Sequence, residues 1–297
     1  MLSVKLIGGL GNQLHCYAFG KALAARQNVE ICFDCDSGFW ADTYGRCYLL
    51  DCFPYLTLKT KSTPRTLAGR WLYRLLIKVA GMLSPMLPLG LRPFVIEPAP
   101  HRFRKDFLTK CYLFNSYFSG YWASYRYCEG IEEKLRAELQ PPFPTHPEVL
   151  EWHKKIMNSR SCFIHYRSYR EVNNYCRPSM FNYYQKAVTL IAEMVPNVKF
   201  FVFSDHHASA RSDLAAISRD ISFVEIEDNF GNVNSLNDFY LMYACEHAII
   251  ADSTFSWWAA WLSDREGKIV AAPHGMSPWG DDWAPPSWIK LDMLSTQ

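Results

Sequence analysis

Val4-Lys5-Leu6-Ile7 runs straight into Gly8-Gly9-Leu10-Gly11-Asn12-Gln13-Leu14-His15-Cys16-Tyr17-Ala18-Phe19-Gly20-Lys21-Ala22-Leu23-Ala24. The first four residues read as a short apolar strand. Leu14, Tyr17, Ala18, Lys21 and Ala22 recur at helical spacing and predict a helix over Asn12–Arg26. Val29–Asp34 then predicts a second strand. Strand, helix and strand in that order open a βαβ unit and hence a parallel sheet. Glycines let the backbone turn tightly and approach a phosphate closely, and a helix start offers free N–H groups. The run departs from the dinucleotide pattern, because Leu14 stands where the third small residue belongs. Taken alone, it is either an anion cradle or only a turn.

The same rhythm returns after the Pro141-Pro142-Phe143-Pro144 run, which reads as a linker. Helices are expected over Pro147–Asn158, Ser179–Met194 (Ser179 as N-cap), Ala208–Ser218, Ser235–Cys245 and Phe255–Ser263. Strands are expected at Cys162–Tyr166, Val198–Phe203, Ile221–Ile226, Ala248–Ala251 and Lys268–Ala271. Such alternation marks a doubly wound α/β sheet. Before the linker, Leu113–Tyr121 reads as extended, Ser124–Leu139 as helical, and residues 36–110 as irregular. The chain thus divides into two α/β domains, 1–143 and 144–297.

The 297 residues carry 49% hydrophobic and 20% charged side chains and a net charge near +2, which gives no reason to expect a nucleic-acid partner. Ten cysteines follow no framework spacing, and no secretory signal is read at the start, so reduced thiols and a cytoplasmic location are expected. The CxxC of Cys32 and Cys35 lies at a strand and has no second pair. The apolar stretch Trp71–Phe94 is broken by Arg74, Lys78, Arg92 and prolines. It is either a basic, apolar patch resting on a membrane or a helical excursion.

Ligands of doubly wound sheets sit beyond the carboxyl ends of the strands. At the first such end of the second domain stand His165 and Arg167, two apart and so on one face. The Arg fork suits a phosphate, though a surface ion pair would use it equally. At the next end stand Ser204 and Asp205, suited to a ribose or base, or to a helix cap. His206-His207 makes a poor metal pair. At Ala251-Asp252-Ser253-Thr254-Phe255-Ser256, three hydroxyls crowd a helix start. Capping needs one, so phosphate oxygens are the expected partners of the others.

These segments together resemble the bacterial α-1,2-fucosyltransferases. GGLGNQLHCYAFGKAL (Gly8–Leu23), the HxR of His165 and Arg167, Phe203-Ser204-Asp205 and STFSWWAAWL (Ser253–Leu262) carry the resemblance. Gly120–Ser124 and Tyr183–Ala187 extend it. It implies a GT-B fold, with two Rossmann-like domains facing across a cleft, the N-terminal one on the acceptor side and the C-terminal one binding the GDP-sugar. It implies transfer of L-fucose from GDP-β-L-fucose to a β-galactoside with inversion, no metal and no cofactor. A surface polysaccharide of the O-antigen type and a lipid-linked acceptor fit the same family. By resemblance, Arg167 binds the β-phosphate, His165 and Asp205 the guanosine, and Ser253, Thr254 and Ser256 the phosphate oxygens. Ser204 and Phe255 belong to the same donor site. Gly9 and Gly11 lie at the pyrophosphate, with Asn12 and Gln13 facing the active site.

One departure matters. The family continues its HxR motif as R-G-D-Y, whereas here Ser168-Tyr169-Arg170-Glu171 follow. Glu171, one position on, is the expected replacement carboxylate, since one residue of chain spans only about 3.5 Å. Other readings are a different base, a different GDP-deoxysugar such as colitose, or a donor-binding protein without turnover. Asp34-Cys35-Asp36 offers a rival, the DxD spacing of metal-dependent transferases.

Overall fold

A computed structural model describes residues 1–98, 102–167, 180–214, 217, 220–226, 232–275 and 280–293. The chain forms two compact units, Met1–Gln140 with Pro278–Trp283, and Pro141–Ser277 with Ala284–Gln297.

The N-terminal unit is built on four parallel strands, β1 (Leu2–Lys5), β2 (Ile31–Asp34), β3 (Phe94–Ile96) and β4 (Tyr117–Ser119), in the order β2-β1-β4-β3. Helix α1 (Leu10–Gln27) packs so closely that a Cβ at Gly20 would lie 2.7 Å from the Phe33 ring. Its Phe19 stacks on Trp122 at 3.9 Å, beside Phe118 and Tyr127, and these rings form the unit's core. Helix α3 (Lys105–Thr109) adds Phe107 to that core, and α4 (Glu132–Glu138) supplies Glu138, which receives the Tyr17 hydroxyl at 2.7 Å and Lys21 at 2.8 Å. Helix α2 (Leu67–Leu83) lies against β3, where a Cβ at Gly81 would come within 2.9 Å of Ile96.

The stretch 36–110, expected to be irregular, therefore holds α2, β3 and α3. Helix α2 starts at Leu67 and runs into the stretch Trp71–Phe94, of which a helical excursion is one of the two sequence readings. Ser124–Leu139 is not one helix either. Ser124 caps a single 3-10 turn, Tyr125–Tyr127, and α4 starts only at Glu132. The Ser124 hydroxyl also donates to the Asp282 carbonyl at 2.9 Å, as does the Tyr125 N–H at 3.2 Å. These bonds tie the late segment to the N-terminal unit, a return that the sequence rhythm does not contain.

The C-terminal unit has six parallel strands, β5 (Arg160–Tyr166), β6 (Val198–Ser204), β7 (Ile221–Phe223), β8 (His247–Ile249), β9 (Val270–His274) and β10 (Ile289–Asp292). Their order is β10-β9-β8-β5-β6-β7, the Rossmann order, with the reversal between β5 and β8. The helices are α5 (Pro147–Met157), α6 (Phe181–Met194), α7 (His207–Leu214), α8 (Asn232–Ala244) and α9 (Thr254–Leu262). Cys162, Ile164, Tyr183, Val188, Val202 and Ile249 lie in one buried cluster between sheet and helices. Strand β10, half-buried at the sheet edge, has no counterpart in the sequence reading. Helix α6 begins at Phe181, and Ser179 lies outside the described residues.

Candidate functional site

In the C-terminal unit, the reversal of strand order brings the carboxyl ends of β5 and β8 side by side, the place where such sheets take ligands. The β5–β6 ladder pairs His165 with Phe203 and Tyr166 with Ser204. One step past the ladder, Arg167 therefore meets Asp205, with Nε 3.0 Å from Oδ2. Both side chains are roughly two-fifths exposed, and among the described residues this is the only partner of the Arg167 guanidinium. Among the described residues its two terminal nitrogens have no partner, and the fork geometry suits a diphosphate.

His165 is buried, with its ring 5.7 Å from that of Phe255. Burial, and secondarily the Arg167 charge, hold its imidazole well below the usual histidine range, so it is neutral at physiological pH. Its Nδ1 is buried and has no hydrogen-bond partner among the described residues, an atom that a ligand would satisfy. Tyr184 fixes the backbone here. Its hydroxyl donates to the His165 carbonyl at 2.9 Å and accepts from the Arg167 N–H at 3.4 Å. Sequence reasoning placed Tyr184 in a family segment without a role. Its partners lie across a strand–helix contact that no local pattern reports.

At the β8 end, Ser253 adopts extended dihedrals and its hydroxyl accepts from Phe255 N at 3.4 Å, capping α9. Ser256 is fully buried. Its hydroxyl accepts from Ala251 N at 3.2 Å and lies 3.4 Å from the Ser253 carbonyl, to which it donates. Thr254 is buried as well. Both of these Ser256 contacts lie within the turn itself, which the hydroxyl shapes from inside. Phe255 is held against Phe239 of α8, with ring centroids 5.3 Å apart. Ser204 accepts from His206 N at 2.9 Å, and His206 Nδ1 from Ser209 N at 3.2 Å, so both act at the start of α7. Glu171 lies outside the described residues.

In the N-terminal unit, α1 starts at Leu10, which puts Gly11 and Asn12 in its first turn and Gly9 at the N-cap. No side chain caps the helix and no acidic residue occupies its first turn. Gly8 has φ +74°, and a Cβ there would strike the Asn12 amide at 2.6 Å, so this turn requires glycine. Gln13 is fully buried. Its Nε2 donates to the carbonyls of Gly8 (2.9 Å) and Cys47 (2.8 Å), and its Oε1 accepts from Leu49 N (2.9 Å). Gln13 thus clasps the glycine turn to the loop at 47–49. That loop brings in Arg46, whose Nε lies 4.0 Å from where a Gly9 Cβ would stand.

The Asp34-Cys35-Asp36 run does not present free carboxylates. Asp34 accepts from the hydroxyls of Tyr117 and Ser37, each at 2.6 Å, and from Ser37 N at 2.8 Å; Asp36 accepts from Thr63 at 2.6 Å. Among the described residues no group of three or more His, Cys, Asp or Glu could hold a metal ion. Burial pushes the Cys35 thiol up to about 12, away from redox reactivity. Beside Asp34 lies a cavity of about 660 Å³ lined by Lys5, Ser37, Trp40, Trp71, Tyr73, Arg74 and Lys78, among others.

The sequence pattern of glycosyl transferase family 11 matches residues 101–289, more than half of the chain. The chain belongs to glycosyl transferase family 11. This family 11 transferase is 27% identical over 304 residues to an alpha-1,2-colitosyltransferase of Escherichia coli, covering 97% of this chain and 98% of that one. It is 28% identical over 298 residues to the O-antigen biosynthesis glycosyltransferase WbnK of Escherichia coli, covering 91% and 92%. Among solved structures, the α-1,6-fucosyltransferase NodZ soaked with GDP-fucose aligns with a TM-score of 0.50 at 14% identity, over 88% of this chain and 91% of that one. That likeness bears on the fold, which is the GT-B type, with two parallel-sheet α/β domains.

Proposed function

We propose that this transferase moves a deoxysugar from a GDP-linked donor to the 2-hydroxyl of a terminal β-galactoside, with inversion and without a resident metal. The setting is the synthesis of an O-antigen-type surface polysaccharide. L-Fucose is the first donor reading. Colitose is the second, favoured by the 27% identity to a colitosyltransferase over nearly the whole chain. Arg167 carries the proposal. It stands at the strand-order reversal with Nε held by Asp205 and, among the described residues, two nitrogens without a partner.

Negative charge builds on GDP as the bond from sugar to phosphate breaks. A guanidinium already aimed at that charge stabilises the transition state more than the ground state. Neutral His165, with Nδ1 unmatched among the described residues, meets the nucleotide beside it. Glu171 takes the proton from the acceptor hydroxyl. The aromatic and cationic cavity of the N-terminal unit suits an acceptor sugar, with Trp40 against a pyranose C–H face.

Purified enzyme is incubated with GDP-fucose, GDP-colitose or UDP-galactose and a β-galactoside, and product mass and nucleotide release are read. Mass gain from a GDP-deoxysugar that persists in EDTA is expected. Use of the UDP-sugar alone, or of no donor despite GDP binding, rejects the reading.

A further inference from the structure

We propose that α2, with the turn that follows it, docks the protein on the surface of a bilayer rich in anionic phospholipid. The inner face of α2 is accounted for, since Gly81 closes on Ile96 and Ser84 bonds the Phe94 backbone. The outer face has no such cover. Trp71, Leu72, Leu76, Val79, Met82 and Leu83 are all exposed, Trp71 at 68% and Met82 at 71%. Met86, at 82%, and Leu87 continue the same apolar surface past the helix. Soluble surfaces carry single exposed apolar residues. A contiguous stripe of this length marks contact with another apolar phase.

Charge selects the partner. From Pro64 to Ile96 there is no Asp or Glu, while Arg65, Arg70, Arg74, Lys78 and Arg92 are cationic. On the helix, Arg70, Arg74 and Lys78 follow the i, i+4 series along one edge of the apolar stripe. An apolar stripe flanked by cations matches a headgroup region with acyl chains beneath, and anionic lipid draws such a segment further. The helix does not span. Its 17 residues reach only about 26 Å against a hydrocarbon core of about 30 Å, and no described helix is long and apolar enough to cross a membrane. It lies in the plane, and the cavity shared by Trp71, Arg74 and Lys78 then opens beside the lipid surface. The inference stands on exposure and charge and does not depend on which sugar is transferred.

The test is co-sedimentation of the full chain with vesicles of phosphatidylcholine mixed with phosphatidylglycerol, and of phosphatidylcholine alone. Binding to the mixed vesicles, weakened by salt, is expected. The pair Leu76→Glu and Met82→Glu, both outward-facing, lowers it roughly tenfold or more. Met194→Glu, an exposed methionine on α6, leaves it unchanged. No vesicle binding, or binding indifferent to the pair, overturns the proposal. So does a dimer, seen by light scattering, that the pair dissolves without any effect on vesicles, since the stripe then faces a second copy. Should the pair fold poorly, quenching by brominated acyl chains is compared between the native protein and Trp71→Phe. Quenching lost with Trp71 upholds docking, and equal quenching refutes it.

Discussion

Arg167 is positioned by one carboxylate and by the Tyr184 hydroxyl at its backbone. Because the pair with Asp205 is well exposed, it adds little to stability. Arg167→Ala is therefore expected to leave the melting temperature nearly unchanged while kcat falls by about 10²–10³, the usual loss of one transition-state donor. Near-native turnover in steady-state assays removes Arg167 from the chemistry. Gln13 behaves oppositely. Its amide closes two buried bonds and one part-buried one, and Gln13→Ala removes all three, leaving the Leu49 N–H without this acceptor. A loss of roughly 2–3 kcal/mol in urea unfolding is expected. A variant of native stability but poor donor affinity would instead place Gln13 at the ligand.

At the scale of elements, the turn into α9 separates capping from binding. Ser253→Ala removes the cap and is expected to cost about 1 kcal/mol. Ser256→Ala leaves Ala251 N unsatisfied in the core and lowers stability comparably, with donor KM changed only as far as the turn shifts. Thermal melts beside donor titrations check this. A raised KM at native stability returns Ser256 to the phosphate. This turn also shows what a sequence conveys. A strand followed by hydroxyls and an aromatic helix was legible as a βα junction at a sheet's carboxyl edge, and so were His165, Arg167 and Asp205. Which hydroxyls point inward was not, because that follows from the close packing of Trp257, Trp258 and Trp261 that seats the helix. Helix α2 was legible only as one of two readings, because Pro85, Pro88 and Pro93 and the basic residues that interrupt the apolar stretch leave its bounds open.

Across the whole molecule, the two-unit plan was readable from two runs of strand–helix alternation around a proline linker. The return of Pro278–Trp283 was not, because it rests on backbone bonds such as Tyr125 N to Asp282 O, 157 positions away in sequence (282 − 125). Two buried charges test how the fold responds to pH. Asp238 keeps some exposed surface, yet desolvation pushes its carboxyl up from 3.8 to about 7. The folded state then holds a proton that the unfolded chain has released, so this residue's contribution to stability falls as pH rises from about 4 to 7 and stays low above. Lys268, its Nζ buried and without a hydrogen bond among the described residues, is driven by desolvation from 10.5 down to about 7. Here the unfolded chain holds the extra proton, so its contribution falls as pH drops from about 10.5 to 7 and stays low below. Asp238→Asn should thus raise the melting temperature at pH 8 and barely at pH 4. Lys268→Met should raise it at pH 6 and barely above pH 10. Scanning calorimetry of both variants across that range is decisive, because the two gains must run in opposite directions with pH. Parallel gains would mean that packing, rather than the buried charges, had been altered.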